Sequence, residues 1–283
     1  MNIGKVISER RKLLGFTQQS LSQRLNVSAQ AISKWENGTS YPDVTLLPQL
    51  AAILSISIDS LLGYPSQSVT YYDQRYDTEE YYWGLAPNHL CYEIMRLKPP
   101  VKPYKVLDIG CGEGKDSVFL ARNGYDVTAF DLSDQGLSKA RELARNLGVK
   151  VDFFKANVRD YKLETNYDII FSSGVFHYIQ QGLREEVVSN LKSHTTDDGI
   201  NVINVFVKKP FIADPQDLEA EELAAGYWKS GELFTYYHDW LFHKNEERIF
   251  DCNSGGMPHK HCMDVLIAEK TKYNTQGEKT KND

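Results

Sequence analysis

The sequence predicts two domains of different class, a small all-α unit followed by a larger α/β unit. Three observations carry this expectation. The chain has 283 residues, above the ~100–150 of a usual single domain. Residues 1–64 carry only helical spacing and cap signals. From residue 104 onward, a short buried strand, a glycine-rich turn entering a helix, and a second strand follow one another, as in an α/β layer.

Composition narrows the class. Apolar residues make up 41% and charged residues 25%, which is ordinary for a soluble globular protein. The sequence holds no apolar run of about 18 residues, so no transmembrane helix is expected. The opening "MNIGKVISERRKLLGF" is too charged for a secretory signal. Four scattered cysteines, at 91, 111, 252 and 262, make no disulfide framework, which suits a reducing cytoplasm. The net charge of −6 argues against a protein that coats nucleic acid. Residues 1–64 hold six Lys/Arg and four Asp/Glu, a net +2 that leaves −8 for the rest.

The helical domain reads as five short helices. Ile3, Val6, Ile7, Leu13 and Leu14 share a face, and Gly15 stops that segment. Thr17 is placed to cap "QQSLSQRL", and Ser28, after "NVS", to cap "AQAISKWE", which Asn37-Gly38 ends. "DVTLLPQLAAILSI" and "SIDSLLG" follow, with Asp43 and Ser57 as caps and Pro48 starting or kinking its helix. Helix, short turn, helix is a helix-turn-helix unit.

The order T-Q, L, L-x-V-S, I-S-x-W-E-x-G, P, L, L, D-x-L-L in residues 16–62 resembles the phage-repressor (Cro/cI, XRE-type) family along nearly its whole domain. The resemblance implies operator DNA as a partner. Gln18 would hold a phosphate, while Ser28, Ala29, Gln30, Ser33 and Lys34 would face the major groove. Gln30 can pair with adenine N6/N7, and Lys34 can reach guanine O6/N7 or a phosphate. Trp35 is expected in the core. One such unit makes few phosphate contacts, so a homodimer over two half-sites is expected. A domain that keeps the fold and binds protein is the alternative.

Residues 65–78, polar, tyrosine-rich and weakly periodic, are expected to be a linker. The second domain is expected over 79–270, opening with a helix at Leu90, Ile94, Met95 and Leu97 that Pro99-Pro100 ends. Residues 271–283 are expected to be a disordered tail.

Residues 104–131 carry the strongest chemical signal. "KVLDIG" reads as a buried strand, "CGEGKDSVFLARNG" as a glycine turn entering a helix, and "YDVTAFDLS" as a strand ending in an acid. Glycines let backbone pass close to a ligand, and a helix N-terminus supplies unpaired N–H donors. Asp131 can accept hydrogen bonds from both hydroxyls of a ribose. "DIGCGEG" lacks the G-x-G-x-x-G spacing of dinucleotide folds, and Asp108 would repel a pyrophosphate while attracting a sulfonium-bearing amino acid.

The stretch resembles class I S-adenosylmethionine-dependent methyltransferases. That resemblance implies a Rossmann-like fold with a seven-stranded, mostly parallel sheet whose last strand is antiparallel, and S-adenosyl-L-methionine as cofactor. Asp108, Gly110, Cys111, Gly112 and Gly114 would surround the methionyl part, Asp131 and Leu132 the ribose, and Asn157 and Val158 the adenine. "YDIIFSSGVFHYI" would be the fourth strand and its active-site loop, with Ser172 and Ser173 at the cofactor. Cys111 is also simply a small buried residue. Tyr82 and Trp83 are expected either as an aromatic lid, where a cation–π contact would stabilise the sulfonium, or as ordinary helix packing.

The loop Ser172-Ser173-Gly174-Val175-Phe176 lacks the Asp/Asn-Pro-Pro-aromatic pattern of amino-methylating DNA enzymes, and no cysteine follows a proline as a cytosine C5 nucleophile would. The bound DNA is therefore not the expected acceptor. "KSGELFTYYHDWLFHKNEE" resembles the G-E-L-x-x-Y-Y-x-x-W segment of the tellurite-resistance methyltransferases, a likeness that covers roughly residues 79–270. It implies a small-molecule acceptor, a chalcogen oxyanion or a thiol. The acidic "DPQDLEAEELAAGYWKS" before it is a departure from what an anionic substrate favours. A transcription regulator that senses S-adenosylmethionine without turnover is the alternative from another class.

"CNSGGMPHKHC", Cys252 to Cys262, raises the question of a metal site. It is expected at a hairpin between a sixth parallel strand near "EERIFDC" and the antiparallel seventh, "HCMDVLIAEK", with Asn253-Ser254-Gly255-Gly256 as the turn. On an extended strand His259 and His261 share one face while Lys260 and Cys262 take the other. One ion would not collect His261 and Cys262 together, and the spacing differs from usual zinc sites. The expectation is no metal and an acceptor-facing pair, His259 and His261, able to hold an oxyanion or take a proton. His177 is a further catalytic candidate, with a core role as its alternative.

Overall fold

The structure is a computed structural model. It describes residues 3–54, 56, 58–62, 71–212, 226–252 and 258–272. The chain divides into two units, 1–68 and 69–283.

The first unit holds α1 (Ile3–Leu13), α2 (Gln18–Leu25), α3 (Ala29–Glu36), a 3-10 turn at Val44–Leu46, α4 (Leu47–Ile53) and α5 (Ile58–Leu61). Local chemistry starts the two central helices. The Thr17 hydroxyl accepts the Ser20 N–H at 3.0 Å and the Ser28 hydroxyl accepts the Ala31 N–H at 3.1 Å, each worth ~1 kcal/mol. Asn26 closes α2 in the left-handed region, φ 53°. Ile7, Leu21, Ile32, Leu50, Leu54 and Leu61 are fully buried together, with Trp35 beside them. Gly4 lets α1 approach α3, since a Cβ there would lie 2.1 Å from the Trp35 carbonyl oxygen.

The second unit contains α6 (Tyr71–Tyr76), α7 (His89–Leu97), β1 (Lys105–Ile109), α8 (Lys115–Arg122), β2 (Asp126–Asp131), α9 (Asp134–Asn146), β3 (Asp152–Lys155) and β4 (Tyr167–Ser172). It continues through α10 (Arg184–Ser193), β5 (Thr195–Phe206), α11 (Glu232–Thr235), β6 (Leu241–Cys252) and β7 (His259–Glu269). The seven strands form one sheet in the order β3-β2-β1-β4-β5-β7-β6. β1 to β5 pair in parallel, and β7 runs antiparallel between β5 and β6. This is the Rossmann-like sheet with a reversed last strand that the sequence predicts.

β1 and β4 are buried almost throughout, as parallel strands covered by helices on both faces must be. β6 instead alternates between exposed and half-buried residues, an edge strand. It begins at Leu241, earlier than "EERIFDC", because pairing with β7 continues up to Leu241↔Glu269. The strand order reverses between β1 and β4, so their carboxyl ends open the crevice where such sheets bind ligands.

Residues 71–76, within the stretch expected as linker, form α6, which packs on α9. Its own periodicity is weak, and packing against the sheet unit supplies what propensity does not. The expected turn residues 253–256, the tail beyond 272 and most of the acidic stretch 214–230 lie outside the described residues.

Candidate active site

The glycine loop leaves β1 at the crevice. Gly110, Gly112 and Gly114 have φ of 73°, 52° and 81°, a region that L side chains rarely adopt. Space excludes a side chain as well: a Cβ on Gly110 would lie 2.2 Å from a Val175 methyl, and one on Gly112 would lie 2.9 Å from the Tyr76 hydroxyl. The loop is held to β2, where the N–H groups of Gly110 and Cys111 donate to the Phe130 carbonyl at 2.8 and 3.0 Å.

Asp131 ties the loop to the next helix. Its Oδ2 accepts the Gly112 N–H and its Oδ1 the Ser133 N–H, both at 2.8 Å, and the Leu132 N–H adds a third bond. Burial pushes its carboxyl up, against the pull of these donors. Three of its roughly four acceptor positions are then taken, and the one that remains can accept a ribose hydroxyl.

Asp108 is 2% exposed at the end of β1. Ser117 Oγ donates to its Oδ2 at 2.5 Å. Burial, reinforced by the Asp116 carboxylate, pushes Asp108 up to about 7. An ammonium or sulfonium beside it would reverse that shift. Burial also pushes the Cys111 thiol well up, which leaves it inert as a nucleophile. A left-handed glycine loop, a buried acid at its head and a second acid at its far edge fit an S-adenosylmethionine molecule. Asn157 and Val158, half-buried, follow β3 beside the Asp131 end of β2.

The aromatic cover differs from the expected one. Trp83 is 42% exposed, and its indole N–H donates to the Tyr76 hydroxyl at 3.1 Å. Tyr82 meets Trp83 edge-on at 4.8 Å between centroids. The buried Glu113 carboxylate holds this segment through the N–H groups of Tyr82 and Trp83 at 3.2 and 3.3 Å, and itself pairs with Lys139 at 2.7 Å. The aromatic side chain nearest the glycine loop is Tyr76, 5% exposed, with Tyr72 stacked on it at 5.6 Å. Neither tyrosine was a sequence candidate. The only signal was tyrosine enrichment in residues 71–82.

The loop after β4 is fastened at three points. Ser172 Oγ donates to the Ile109 carbonyl at 3.1 Å. Ser173 Oγ accepts from both Asn88 Nδ2 and Asn204 Nδ2 at 2.9 Å, and Asn204 Oδ1 accepts the Gly174 N–H at 2.7 Å. The two asparagines were missed because they lie on α7's cap and on β5, far away in sequence.

His177 is fully buried, its ring 4.1 Å from Tyr178 and 4.7 Å from Phe206. Burial, with the charges of His261 and Arg159 adding, drives it down to about 3. It is therefore neutral near pH 7, and both ring nitrogens are buried without a hydrogen-bond partner among the described residues. Of the two roles expected of His177, catalytic candidate or core residue, its burial and lowered proton affinity favour the core one.

The G-E-L-x-x-Y-Y-x-x-W segment is a buttress for this loop. The guanidinium of Arg184, 2% exposed, donates to both Glu232 oxygens at 2.9 and 3.0 Å, and to the carbonyls of Gly226, Tyr227 and Ile179 at 2.8, 3.0 and 3.2 Å. It also stacks on Trp228 at 4.3 Å. Trp228 Nε1 donates to the Phe176 carbonyl at 3.0 Å, and Asn201 Nδ2 to the buried Tyr237 hydroxyl at 2.9 Å. The segment thus shapes the wall behind Phe176 and His177.

At the sheet edge, His259 and His261 share a face of β7 as expected, their Nε2 atoms 2.8 Å apart. Lys260 turns away to Asp251 at 2.5 Å, and Cys262 is buried on the other side. The strand-face argument against a metal was made on Cys262, whereas it is Cys252 that pairs with His259 across β6 and β7. Sequence periodicity gives the face of each strand but not the cross-strand register.

In the helical unit, Gln30 and Lys34 are exposed on α3 with Ser28, Ala29 and Ser33 alongside, while Ile32 and Trp35 face inward. Gln18 departs from its expected phosphate role, because its Nε2 donates to Glu36 at 2.8 Å. Glu36 also receives Arg11 through Nε and Nη2 at 2.5 and 3.0 Å. The Glu36 carboxylate draws the Gln18 amide inward toward this ion pair.

Residues 68–255 match the family described as tellurite resistance protein TehB, and residues 7–61 match a helix-turn-helix family. Among curated proteins, the chain is 24% identical to a probable S-adenosyl-L-methionine-dependent methyltransferase TehB of Haemophilus influenzae, covering 77% of this chain and 72% of that one. It is 32% identical to hemagglutinin 1 of Eikenella corrodens over 59% of this chain and 53% of that protein. The crystal structure of Haemophilus influenzae TehB superimposes with a TM-score of 0.58 at 24% identity, covering 71% of this chain and 66% of that chain.

Proposed function

Because the chain belongs to the tellurite resistance protein TehB family, and its larger unit is an S-adenosylmethionine-dependent methyltransferase fused to a helix-turn-helix domain, we propose that it methylates a small chalcogen acceptor, an oxyanion of tellurium or selenium or a thiol. The observation that carries this reading is the anchoring of the distinctive segment. Glu232 holds Arg184, and Arg184 and Trp228 in turn donate to the Ile179 and Phe176 carbonyls of the loop after β4, which walls the acceptor side of the crevice.

The cofactor supplies the electrophilic methyl group. Asp108 and the glycine loop hold its methionyl end, and Asp131 with Leu132 the ribose. Asn157 and Val158 flank the adenine, and Ser172 and Ser173 keep the loop after β4 against Gly110. Tyr76, Trp83 and Tyr82 cover the loop and exclude water. His259 and His261 stand on the β7 edge to hold the acceptor, and His177 backs it as a neutral wall. Positioning in line provides most of the rate, and a soft selenium, tellurium or sulfur nucleophile needs no strong general base.

The helix-turn-helix domain binds operator DNA as a homodimer, with Gln30 and Lys34 reading base edges, and represses transcription until acceptor or cofactor arrives. Incubating the full chain with S-adenosylmethionine and tellurite, selenite or small thiols tests the reading through S-adenosylhomocysteine release. Acceptor-dependent release is expected. Cofactor binding without release for any of these acceptors would instead support a ligand-sensing regulator.

A further inference from the structure

We propose that Cys252, His259 and His261 form a site for one borderline-soft divalent transition metal, of which zinc is the type, with a fourth position open. The three ligand atoms, Cys252 Sγ and one ring nitrogen from each histidine, lie within 4.8 Å of one another. A tetrahedral zinc ion at ordinary bond lengths separates such atoms by about 3.3–3.6 Å. The two Nε2 atoms now stand 2.8 Å apart, sharing a hydrogen bond, so the ion spreads them by only about 0.5 Å, the shared proton passing to Nδ1 of its ring and the Cys252 thiol proton to solvent.

Sheet geometry builds the cluster. Cys252 is the residue directly across from His259 in the β6–β7 register, and His261 is two residues further along the same face. Both strands are hydrogen-bonded up to this last pair, so the three side chains are carried on regular backbone. Aromatic walls flank them, with the Phe206 ring 4.7 Å and the Phe250 ring 5.8 Å from His261. Such walls limit hydration and strengthen thiolate and imidazole coordination. The neighbouring cations are committed elsewhere, Lys260 to Asp251 at 2.5 Å and Lys209 to Glu247 at 2.7 Å. The donor set, one thiolate and two neutral imidazoles, selects zinc, cobalt or copper over magnesium or calcium.

Three protein ligands leave room for one exogenous donor. The end of β7 that carries the cluster lies beside the carboxyl end of β5, through the pair Phe206↔Met263. That is the sheet edge of the glycine loop, so the fourth position takes water or a thiolate or oxyanion entering on the acceptor side. Metal binding itself is measured without turnover, so it stands or falls apart from the acceptor assignment.

The test is titration of the reduced, full-length, metal-free protein with Co²⁺, then displacement by Zn²⁺. One equivalent of Co²⁺ should bind with intense tetrahedral d–d bands and a thiolate-to-cobalt charge-transfer band. Cys252→Ser should remove the charge-transfer band, His259→Gln and His261→Gln should each weaken binding at least about tenfold, and Cys262→Ser should leave the spectrum unchanged. S-adenosylmethionine binding, measured on every variant, reports that the domain remains folded. Loss of the band in Cys262→Ser but not Cys252→Ser, an octahedral spectrum, or no stoichiometric binding would each overturn the site.

Discussion

Protonation of Asp108 should govern cofactor affinity near neutral pH. Its carboxyl is held up to about 7 by burial and by Asp116, against an ordinary value of 3.8. A cationic methionyl group binds the carboxylate, so below the folded value binding must first expel a proton. With a value of 7 and an ionised bound state, the fraction ready to bind falls about tenfold from pH 8 to pH 6, or about 1.4 kcal/mol. Calorimetry of S-adenosylmethionine binding across that range, in buffers of different ionisation enthalpy, should show weaker affinity at low pH and proton release near pH 7. The cofactor's own amino group acts with the opposite sign, since its cationic form is lost as pH rises. Asp108→Asn should flatten the low-pH slope and cost roughly 1.5–3 kcal/mol at high pH, as for a hydrogen bond to a charged group. The folded state also holds this proton where the unfolded chain has released it, so the Asp108 contribution to cofactor-free stability, read as the difference between the unaltered chain and Asp108→Asn, should fall as pH rises from 3.8 through about 7. An affinity independent of pH, or an unchanged slope in Asp108→Asn, would refute the reasoning.

Asp131→Ala should weaken S-adenosylmethionine binding by roughly 1.5–3 kcal/mol, and unchanged affinity in calorimetry would place the ribose elsewhere. His177 has a folded value of about 3 against 6.5 when free, so the unfolded state gains protons as pH drops below 6.5. The His177 contribution to stability should then fall by up to about 1.4 kcal/mol per pH unit below that point, opposite in sign to that of Asp108, and is read as the difference between the unaltered chain and His177→Phe in denaturant titrations. Gln30→Ala should relax operator preference, while Lys34→Ala should weaken binding and lower its salt dependence in fluorescence anisotropy. A full-length protein without preference among genomic fragments would contradict both. Replacing His259 and His261 together with alanine should lower turnover at saturating cofactor while the cofactor dissociation constant holds. Full activity in that variant would exclude the pair from the acceptor site.

Signals carried by adjacent residues were legible without the structure. Thr17 and Ser28 cap helices because a hydroxyl reaches an N–H three residues on, a contact that needs no distant partner. The three glycines between Asp108 and Lys115 specify a left-handed loop by their lack of a Cβ, and Asp131 follows at the end of the next strand. These fixed the helix-turn-helix unit, the Rossmann-like unit and the cofactor region. Alternation along β7 likewise put His259 and His261 on one face.

Only tertiary structure decided which distant groups meet. The Asn88 and Asn204 amides converge on Ser173 across 85 and 31 residues, and Glu36 draws in Gln18 and Arg11 from two other helices. Tyr76 lies over Gly112 because α6 packs on α9, although its own sequence is too short and polar to define a helix. Burial strips His177 of its proton, a desolvation effect that residue type does not encode. Cys252 stands across from His259 through the β6–β7 register, and a slip of one residue would turn its thiol to the opposite face. Periodicity gives the face of each element, whereas register and burial depend on the energy of the whole packed sheet, which decides which faces come together.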